Sequence, residues 1–449
     1  MTDTFYMTEA LSICSDAAFE AHLGSLKDMP SWLLDIKREA WARYKALPEP
    51  RRKDEQWRFA STDGLSLDPY SYRVPSADPQ ECARPLLECG GCLDFADDAY
   101  IGGRPLYEEA AARGVIFLPL DRALREHPEL VRRHLFERMP DLGSEKYQAL
   151  HVAMFTTGVF LHVPRGVQVE LPLAGLHEAV SEGASVFPHT LVVAEEGASV
   201  TMFDVFRSRE AAARHFACAA ADICALPGAN IRYRMVQAWS RSSLAFHMNS
   251  ASAERSSSVD AITINVGAAH VRSEQHGRIV GRGGNVQMHS LTLATGTQEV
   301  DQRTLQTHDA GDGHSNLLYK NVLLDKAHTI FSGLIRVAEN AQRTDAYQTN
   351  RNLLLSPEAE ADSLPGLEIL ANDVKCSHGA STGQLDKEQL YYMLARGLHR
   401  STAQQLMVFG FFEEVLEKFG NEQLAQYVRD LLQESFNAHE LLNNSPDAT

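Results

Sequence analysis

Residues 158 to 337 contain a succession of short runs in which apolar and polar side chains alternate. A period of two indicates β-strands, because successive side chains of a strand point to opposite faces. No segment of helix length and pattern separates these runs, so they cannot be the strands of βαβ units. The runs cover residues 158–176, 189–206, 228–239, 261–281, 317–324 and 329–337.

A loose internal repeat connects several of these runs. A corner of small residues followed by an alternating run recurs, at irregular intervals, at residues 197–203, 228–234, 267–273 and 326–332. Two mainly β architectures fit this pattern: a stacked solenoid (β-helix) and a β-sandwich. Roughly 200 residues of short strands with small-residue corners favour the solenoid.

The regions on either side of the strands have helical spacing instead. Helices are predicted over 31–47, 120–139 and 144–157, with Ser31, Asp121 and Ser144 as their capping residues. After Gly383, helices are predicted over 386–397, 401–420 and 421–442, and Ser401 and Gln404 form a capping box. We therefore expect a mainly helical domain at 1–157, a β core at 158–372 and a helical domain at 373–449.

Bulk composition excludes several classes of function. The formal net charge of −17 over 449 residues, with no dense Lys/Arg run, argues against nucleic-acid binding. No signal peptide and no window of roughly 18 uncharged apolar residues is present, so we expect neither secretion nor a membrane span. Seven scattered cysteines fit the reducing cytoplasm better than a disulfide framework.

The segment VKCSHGA, residues 374–380, places Cys376 two positions before His378 at the change from strands to helices. In an extended segment both side chains lie on one face, and both are soft-metal ligands. A metal, a nucleophilic step and a subunit contact are open alternatives, and so is a small buried thiol beside a structural imidazole. No second Cys or His close in sequence completes a zinc site, but a ligand pair completed by another subunit is possible.

Three other groups of residues carry weaker signals. His308 and His314 lie in a polar, glycine-containing segment that fits a surface loop better than a metal site. The Cys89–Cys92 pair, with Cys82 upstream, lacks the following helix of a thioredoxin-like motif. The third group consists of three carboxylates of the strand region, Asp260, Asp301 and Asp345. A glycosidase needs a pair of carboxylates close together, and nothing in the sequence groups these three.

The helices at 386–419 carry more apolar surface than one buried face requires. Such an excess indicates a docking surface for a partner. The chain itself has no phosphate-binding GxxxxGK[ST] motif, and GRGGN at 281–285 lacks both its Lys and its following helix. The candidate docking residues are Tyr391, Met393, Leu406, Phe409 and Phe411.

At 342–398 the sequence QRTDAYQTNRNLLLSPEAEADSLPGLEILANDVKCSHGASTGQLDKEQLYYMLARGL closely resembles the signature region of the SufB/SufD family of iron–sulfur cluster assembly proteins. The segment HSNLLYKNVLLDKAHTIFSGLIRV at 314–337 extends the resemblance upstream. RRKDEQWRFAS at 51–61 looks like the amino-terminal pattern of the SufD branch. The resemblance covers most of residues 30–435.

This resemblance implies a right-handed parallel β-helix between helical domains. It implies a non-enzymatic assembly subunit that pairs with SufB through the β-helices and binds the ATPase SufC through its C-terminal helices. His378 and Cys376 match the family's interface histidine and its neighbouring cysteine, and are expected to be shared metal ligands. No cofactor is expected to be firmly bound. A transient iron or iron–sulfur cluster at the interface stays open as an alternative.

Several alternatives stay open at this point. The chain could instead be a SufB-like scaffold that holds a nascent cluster as a homodimer, or a carbohydrate-active β-helix enzyme. The sequence does not decide whether iron, reduced flavin or persulfide sulfur contacts this chain. A homodimer of the isolated chain is also open.

Overall fold

The structure is a computed structural model that describes residues 11–26, 28–73, 88–137 and 139–443. Its strands are β1 Leu11–Ser12, β2 Ser71–Tyr72, β3 Gly91–Ala96, β4 Ala99–Arg104, β5 Ile116–Pro119, β6 Gly158–Val163, β7 Leu173–Ala179, β8 Ser185–Val186, β9 His189–Ala194, β10 Ser199–Ser208, β11 Phe216–Ala225, β12 Asn230–Ala238, β13 Leu244–Ala253, β14 Ser258–Asn265, β15 His270–Ile279, β16 Asn285–Ala294, β17 Glu299–His308, β18 His314–Leu323, β19 His328–Val337, β20 Thr344–Leu354, β21 Glu360–Ile369 and β22 Val374–Gln384.

Helices precede, interrupt and follow these strands. They are α1 Asp16–Ser25, α2 Ser31–Ala46, α3 Glu108–Ala112, α4 Leu120–Glu126, α5 Pro128–Arg132, α6 Glu145–Met154, α7 Lys387–Ala395, α8 Arg400–Leu416 and α9 Glu422–Asn443. Short 3₁₀ turns occupy Glu55–Trp57 and Glu417–Phe419. Within the described ranges, no helix combines the length and the apolar character needed to cross a membrane.

From β9 onward, consecutive strands alternate between two sheets. Sheet I has the order β22-β20-β18-β16-β14-β12-β10-β7-β3-β4, and sheet II has the order β21-β19-β17-β15-β13-β11-β9-β6-β5, with β8 beside β11. Every neighbouring pair is parallel except β3–β4 and β5–β6 at the N-terminal end. The chain therefore winds into a β-solenoid of about eight turns, which confirms the predicted parallel β-helix and excludes the sandwich.

The register shows how the turns stack. The first residues of successive sheet I strands pair with one another from Ser199 through Asn230, Ser258 and Asn285 to His314. Corners need tight backbone turns, and Gly197 and Gly228 take positive φ values of 70° one turn apart. The long alternating runs at 158–176, 189–206 and 261–281 are therefore pairs of shorter strands separated by a corner.

The N-terminal segment covers the outer face of sheet II. Trp57 is 4% exposed, and its Nε1 donates to the Gly143 carbonyl at 2.7 Å. The Arg272 guanidinium lies 4.1 Å from the Trp57 ring centroid and donates to the carbonyls of Gln56 (3.0 Å) and Leu142 (2.7 Å). The segment 51–61 is thus held onto the solenoid by buried charge-assisted hydrogen bonds.

The helices α8 and α9 cover the outer face of sheet I. Apolar side chains such as Phe412 and Val428 pack with Ile262 and other outward residues of the sheet. The fully buried Arg234 donates to the Lys418 carbonyl at 3.1 Å and pairs with Asp260 at 2.7 Å. Buried cations therefore fix the C-terminal end of α8 on the sheet.

Several predicted boundaries are displaced. The cap of α2 is Pro30, and Ser31 is already helical; likewise His399 precedes α8, so Ser401 lies inside the first turn. The predicted helix 120–139 is two helices, because Pro128 begins α5 and cannot supply the backbone N–H that would continue α4. Pro119, and not Asp121, caps α4, whereas Ser144 does occupy the cap position of α6.

The strands also extend past the β-core limits expected from the sequence. β3, β4 and β5 join the two sheets although they precede residue 158, and β22 continues sheet I beyond residue 372. The C-terminal helices begin only at Lys387.

His328 links three consecutive strands of sheet II. Its Nε2 lies 3.0 Å from Asp362 on β21, and its Nδ1 lies 3.5 Å from Glu299 on β17. Glu299 also accepts a hydrogen bond from the Ser61 backbone at 2.9 Å. Burial opposes protonation of the ring, but hydrogen bonds and charge from the two carboxylates outweigh it and raise the pKa of His328 above the ordinary value of 6.5.

A raised pKa means that protonated His328 stabilises the fold below about pH 6.5 and that this contribution is lost as pH rises through the folded-state pKa. We expect His328→Gln to be less stable than wild type by roughly 1 kcal/mol near pH 6, with a smaller difference near pH 9. Urea unfolding at both pH values measures it. His399→Gln, at an exposed position, should show no such pH dependence; an equal loss from His328→Gln at both pH values contradicts the ion-pair account.

Candidate functional site

The C-terminal end of the solenoid is open. β22 and β21 are the terminal strands of sheets I and II, and no further strand of the described residues pairs with either of them. Residues 377–384 of β22 are all exposed. An edge strand presents unpaired backbone N–H and C=O groups, which are a template for pairing with another strand.

Cys376 and His378 both lie on this edge strand. In register they pair with Ala346 and Gln348 of β20, both of which are buried inside the solenoid. Because alternate residues of a strand share a face, Cys376 and His378 lie side by side on the inward face of the last turn. Cys376 is half-buried and His378 is exposed.

The surroundings of Cys376 disfavour its thiolate. Its side chain packs against the small apolar cluster of Ile335, Val337 and Ala346. Burial raises the pKa of the Cys376 thiol, and the nearby Asp345 carboxylate raises it further. A neutral thiol is a poor nucleophile and a poor metal ligand, so the site needs an added positive charge, such as a metal ion, to ionise it.

In the described part of the chain, no group of three or more His, Cys, Asp or Glu side chains is arranged to hold a metal ion. Cys376 and His378 therefore offer two donors on one open face. A tetrahedral site would take its remaining ligands from another molecule.

The weaker candidates are dispersed. His308 is buried and bonds the Ser315 hydroxyl at 2.8 Å, and burial lowers the pKa of His308 to about 4. His314 lies on the surface, 3.8 Å from Asp345. Cys92 is the second residue of strand β3, and its thiol donates to Asp94 at 3.0 Å, while Cys82 lies outside the described residues.

The three strand-region carboxylates do not form a groove. Each makes a different contact: Asp260 with Arg234, Asp301 with Arg272 and Arg303, and Asp345 with His314. Asp301 belongs to sheet II, whereas the other two belong to sheet I. This arrangement does not supply the facing carboxylate pair of a glycosidase.

An exposed apolar surface lies on α7 and the first half of α8. Tyr391 is 73% exposed and Leu406 is 50% exposed, and Met393 is partly buried. Phe409 and Phe411 are partly buried against the helix–sheet cluster. We call Tyr391, Tyr392, Leu398 and Leu406, all exposed, the α7–α8 surface.

Sequence reasoning missed the polar interior of the later turns. Apolar side chains such as Val192, Ile223 and Met235 fill the early turns. In the later turns amides and hydroxyls replace them and form a hydrogen-bonded chain that links both sheets. It runs from Asn265 through Thr292, Gln302, Asn321 and Asn352 to Thr382 at donor–acceptor distances of 2.8–3.4 Å. The amides at alternate positions of QTNRN (348–352) were the feature of the sequence that could have indicated this polar interior.

The fold and the site together define a parallel β-solenoid protein with helical coverings and an open end that carries Cys376 and His378. Residues 177–411 match the family described as "SUF system FeS cluster assembly, SufBD core domain", and residues 18–174 match "SufBD protein N-terminal region". The chain belongs to the SufBD family.

Among its relatives is the iron–sulfur cluster assembly protein SufD of Escherichia coli, 28% identical over 84% of this chain and 87% of the relative. SufD of Bacillus subtilis is 26% identical over 92% of this chain and 96% of the relative. SufB of Bacillus subtilis is 23% identical over 87% and 86%.

The Cys376 thiol should react slowly with iodoacetamide near neutral pH, because its pKa is raised. Its alkylation rate should increase as the pH rises above the ordinary thiol pKa of about 8.5. Mass spectrometry of the peptide that contains Cys376 measures the rate. A synthetic peptide of residues 372–382 should react faster than the folded protein at every pH below about 8.5. Faster reaction in the folded protein would contradict the raised pKa of the Cys376 thiol.

Proposed function

We propose that this chain is a SufD-type assembly subunit of the SUF system, which pairs with SufB and binds the ATPase SufC without catalysing a reaction itself. The observation that carries the proposal is the exposed edge strand β22, which presents Cys376 and His378 on one face of the open end. Family membership and the two SufD relatives support the same assignment.

The open end supports pairing with a second solenoid. Strand addition to β22 and β21 would satisfy the backbone groups of both edges at once. Pro365 and Gly366 lie in β21 and weaken strand pairing there, whereas β22 contains no proline. β22 is therefore the better edge for a partner strand, and it is the strand that holds the ligand pair.

The two donors then become part of a shared site. An imidazole and a thiol from this chain, joined by thiolate or imidazole donors of SufB, suit iron as the cargo of the complex. The half-buried, protonated Cys376 becomes a good ligand only when a cation arrives. His378 is exposed and is the more accessible of the two.

The α7–α8 surface supports the second contact. Exposed apolar side chains on α7 (Tyr391 and Tyr392), on the connection (Leu398) and on α8 (Leu406) offer a surface that suits a protein partner. Because the chain has no phosphate-binding loop in its sequence, ATP hydrolysis is assigned to SufC.

Replacing His378 by Ala should leave folding within about 0.5 kcal/mol of wild type, since the side chain is exposed. Cluster formation by the complex reconstituted with SufB and SufC should fall by roughly tenfold or more, since even outer-shell changes cost that much in metal sites. Absorbance of the assembled cluster under anaerobic conditions measures the yield. Ser377→Ala, at the preceding and also exposed residue of the same strand, is the matched control, and a normal yield from His378→Ala excludes the ligand role.

Reconstitution of the isolated chain distinguishes the subunit from a homodimeric scaffold. A stoichiometric cluster formed without SufB would favour the scaffold, because the ligands of two copies would then suffice. The proposed function predicts that SufB is required.

Introducing a charge at Leu406 (Leu406→Glu) should weaken SufC binding at least about tenfold, because it places a carboxylate in the apolar contact. Half of the Leu406 side chain is exposed, so the fold should be retained. Calorimetric titration with SufC measures the affinity. Gln426→Glu adds the same charge at an exposed position of α9 and should bind normally; equal affinity for both variants would place SufC elsewhere.

A further inference from the structure

Four inward side chains within two turns of the open end carry polar atoms to which no described residue hydrogen-bonds. Thr304 and Gln306 lie on β17 of sheet II, two strands from the end, and Gln348 and Asn350 lie on β20 of sheet I, one strand from the end. Each is at most 1% exposed. Among the described residues, nothing hydrogen-bonds to either amide atom of Gln348, to Thr304 Oγ1, to Gln306 Oε1 or to Asn350 Nδ2.

Gln348 Nε2 and Thr304 Oγ1 share one space between the sheets. Gly333 of sheet II faces Gln348, and a Cβ on Gly333 would collide with Gln348 Nε2 and lie 2.7 Å from Thr304 Oγ1. Gly333 therefore leaves room for both groups. Gln306 is fixed beside them, since its Nε2 donates to the Ser315 hydroxyl at 2.7 Å and to the Tyr347 carbonyl at 3.2 Å.

The chemistry of the unpaired atoms identifies the class of ligand. They include acceptors (Gln348 Oε1 and Gln306 Oε1), donors (Gln348 Nε2 and Asn350 Nδ2) and a hydroxyl that can be either. An anion would lack partners for the acceptors, and a cation would be repelled by the donors. Exchanging O and N of either Gln leaves both kinds present. Water, which donates and accepts, matches the whole set.

We propose that this layer is an internal hydration site, in which ordered water bridges Gln348, Thr304, Gln306 and Asn350. In register, His378 lies above Gln348, Ala380 above Asn350, and Pro365 above Gly333, so a single turn separates the water from solvent. Water enters from the open end. The site does not depend on the proposed function.

A crystal structure of the full chain at high resolution tests the site directly. We expect at least one ordered water within hydrogen-bond distance of both Gln348 and Thr304. A direct hydrogen bond between these two side chains, or a layer without water, overturns the proposal.

The sign of a stability change provides a second test. If water satisfies Gln348, Gln348→Met removes its hydrogen bonds and leaves Thr304 with fewer partners, so the urea unfolding midpoint falls. If the layer is dry, the same change removes two unpaired buried atoms, and the midpoint stays or rises. Leu317→Met, one turn below in the same column, is the control for side-chain shape and should be nearly neutral.

A double-mutant cycle of Gln348→Met with Thr304→Val completes the test. The crystal structure of the unchanged chain tests the site even where a variant folds poorly. If the two side chains share a water, the double variant should lose less in unfolding midpoint than the sum of the two single losses, because the first substitution already disrupts the water. Strictly additive losses contradict a common water.

Discussion

Each turn of this molecule depends on the backbone hydrogen bonds that it makes with the turn before and the turn after. Parallel strands in two sheets satisfy their N–H and C=O groups only between turns, since consecutive strands of the chain lie in different sheets. The N-terminal turns end in the antiparallel strands β4 and β5. At the C-terminal end, β22 and β21 have no following turn of the described residues to bond with. The candidate ligands Cys376 and His378 lie on β22.

The alternation of side chains predicted several of the strands and favoured the solenoid, because a strand with one buried face leaves a period-two pattern. It did not single out β11, β13 or β17, in which almost every residue is buried. It was insufficient to place the corners. In 261–281 the chain bends at Gly267 and Ala268. The φ of Ala268 is 61°, a conformation that alanine rarely adopts, so the residue type does not mark this bend in the sequence. The internal repeat was irregular because its members belong to different sheets. Residues 197–203 and 228–234 lead into strands of sheet I, whereas 267–273 and 326–332 lead into strands of sheet II.

The candidate site was predictable in its residues but less so in its setting. Two positions apart in an extended segment means one face, and that inference needs no tertiary information. The segment after Cys376 was expected to leave the β core, yet β22 continues to Gln384. Its Gly, Ser and Thr residues look like a loop, because a last turn has nothing above it to bury apolar side chains against. The inward amides of 348–352 resemble surface residues in the sequence. A polar residue type fits both a side chain exposed to solvent and a buried side chain that bonds another polar group, so the sequence does not distinguish the two.

The change from an apolar to a polar interior gives the solenoid a direction. Stacked turns behave as a one-dimensional array in which each unit is stabilised mainly by its neighbours. The early turns bury hydrocarbon, which contributes favourable free energy regardless of geometry, whereas the late turns depend on amide and hydroxyl contacts that must be aligned. Local opening should thus begin at β21 and β22, so the array frays first at its open C-terminal end, and its last turn can rearrange without disturbing the rest.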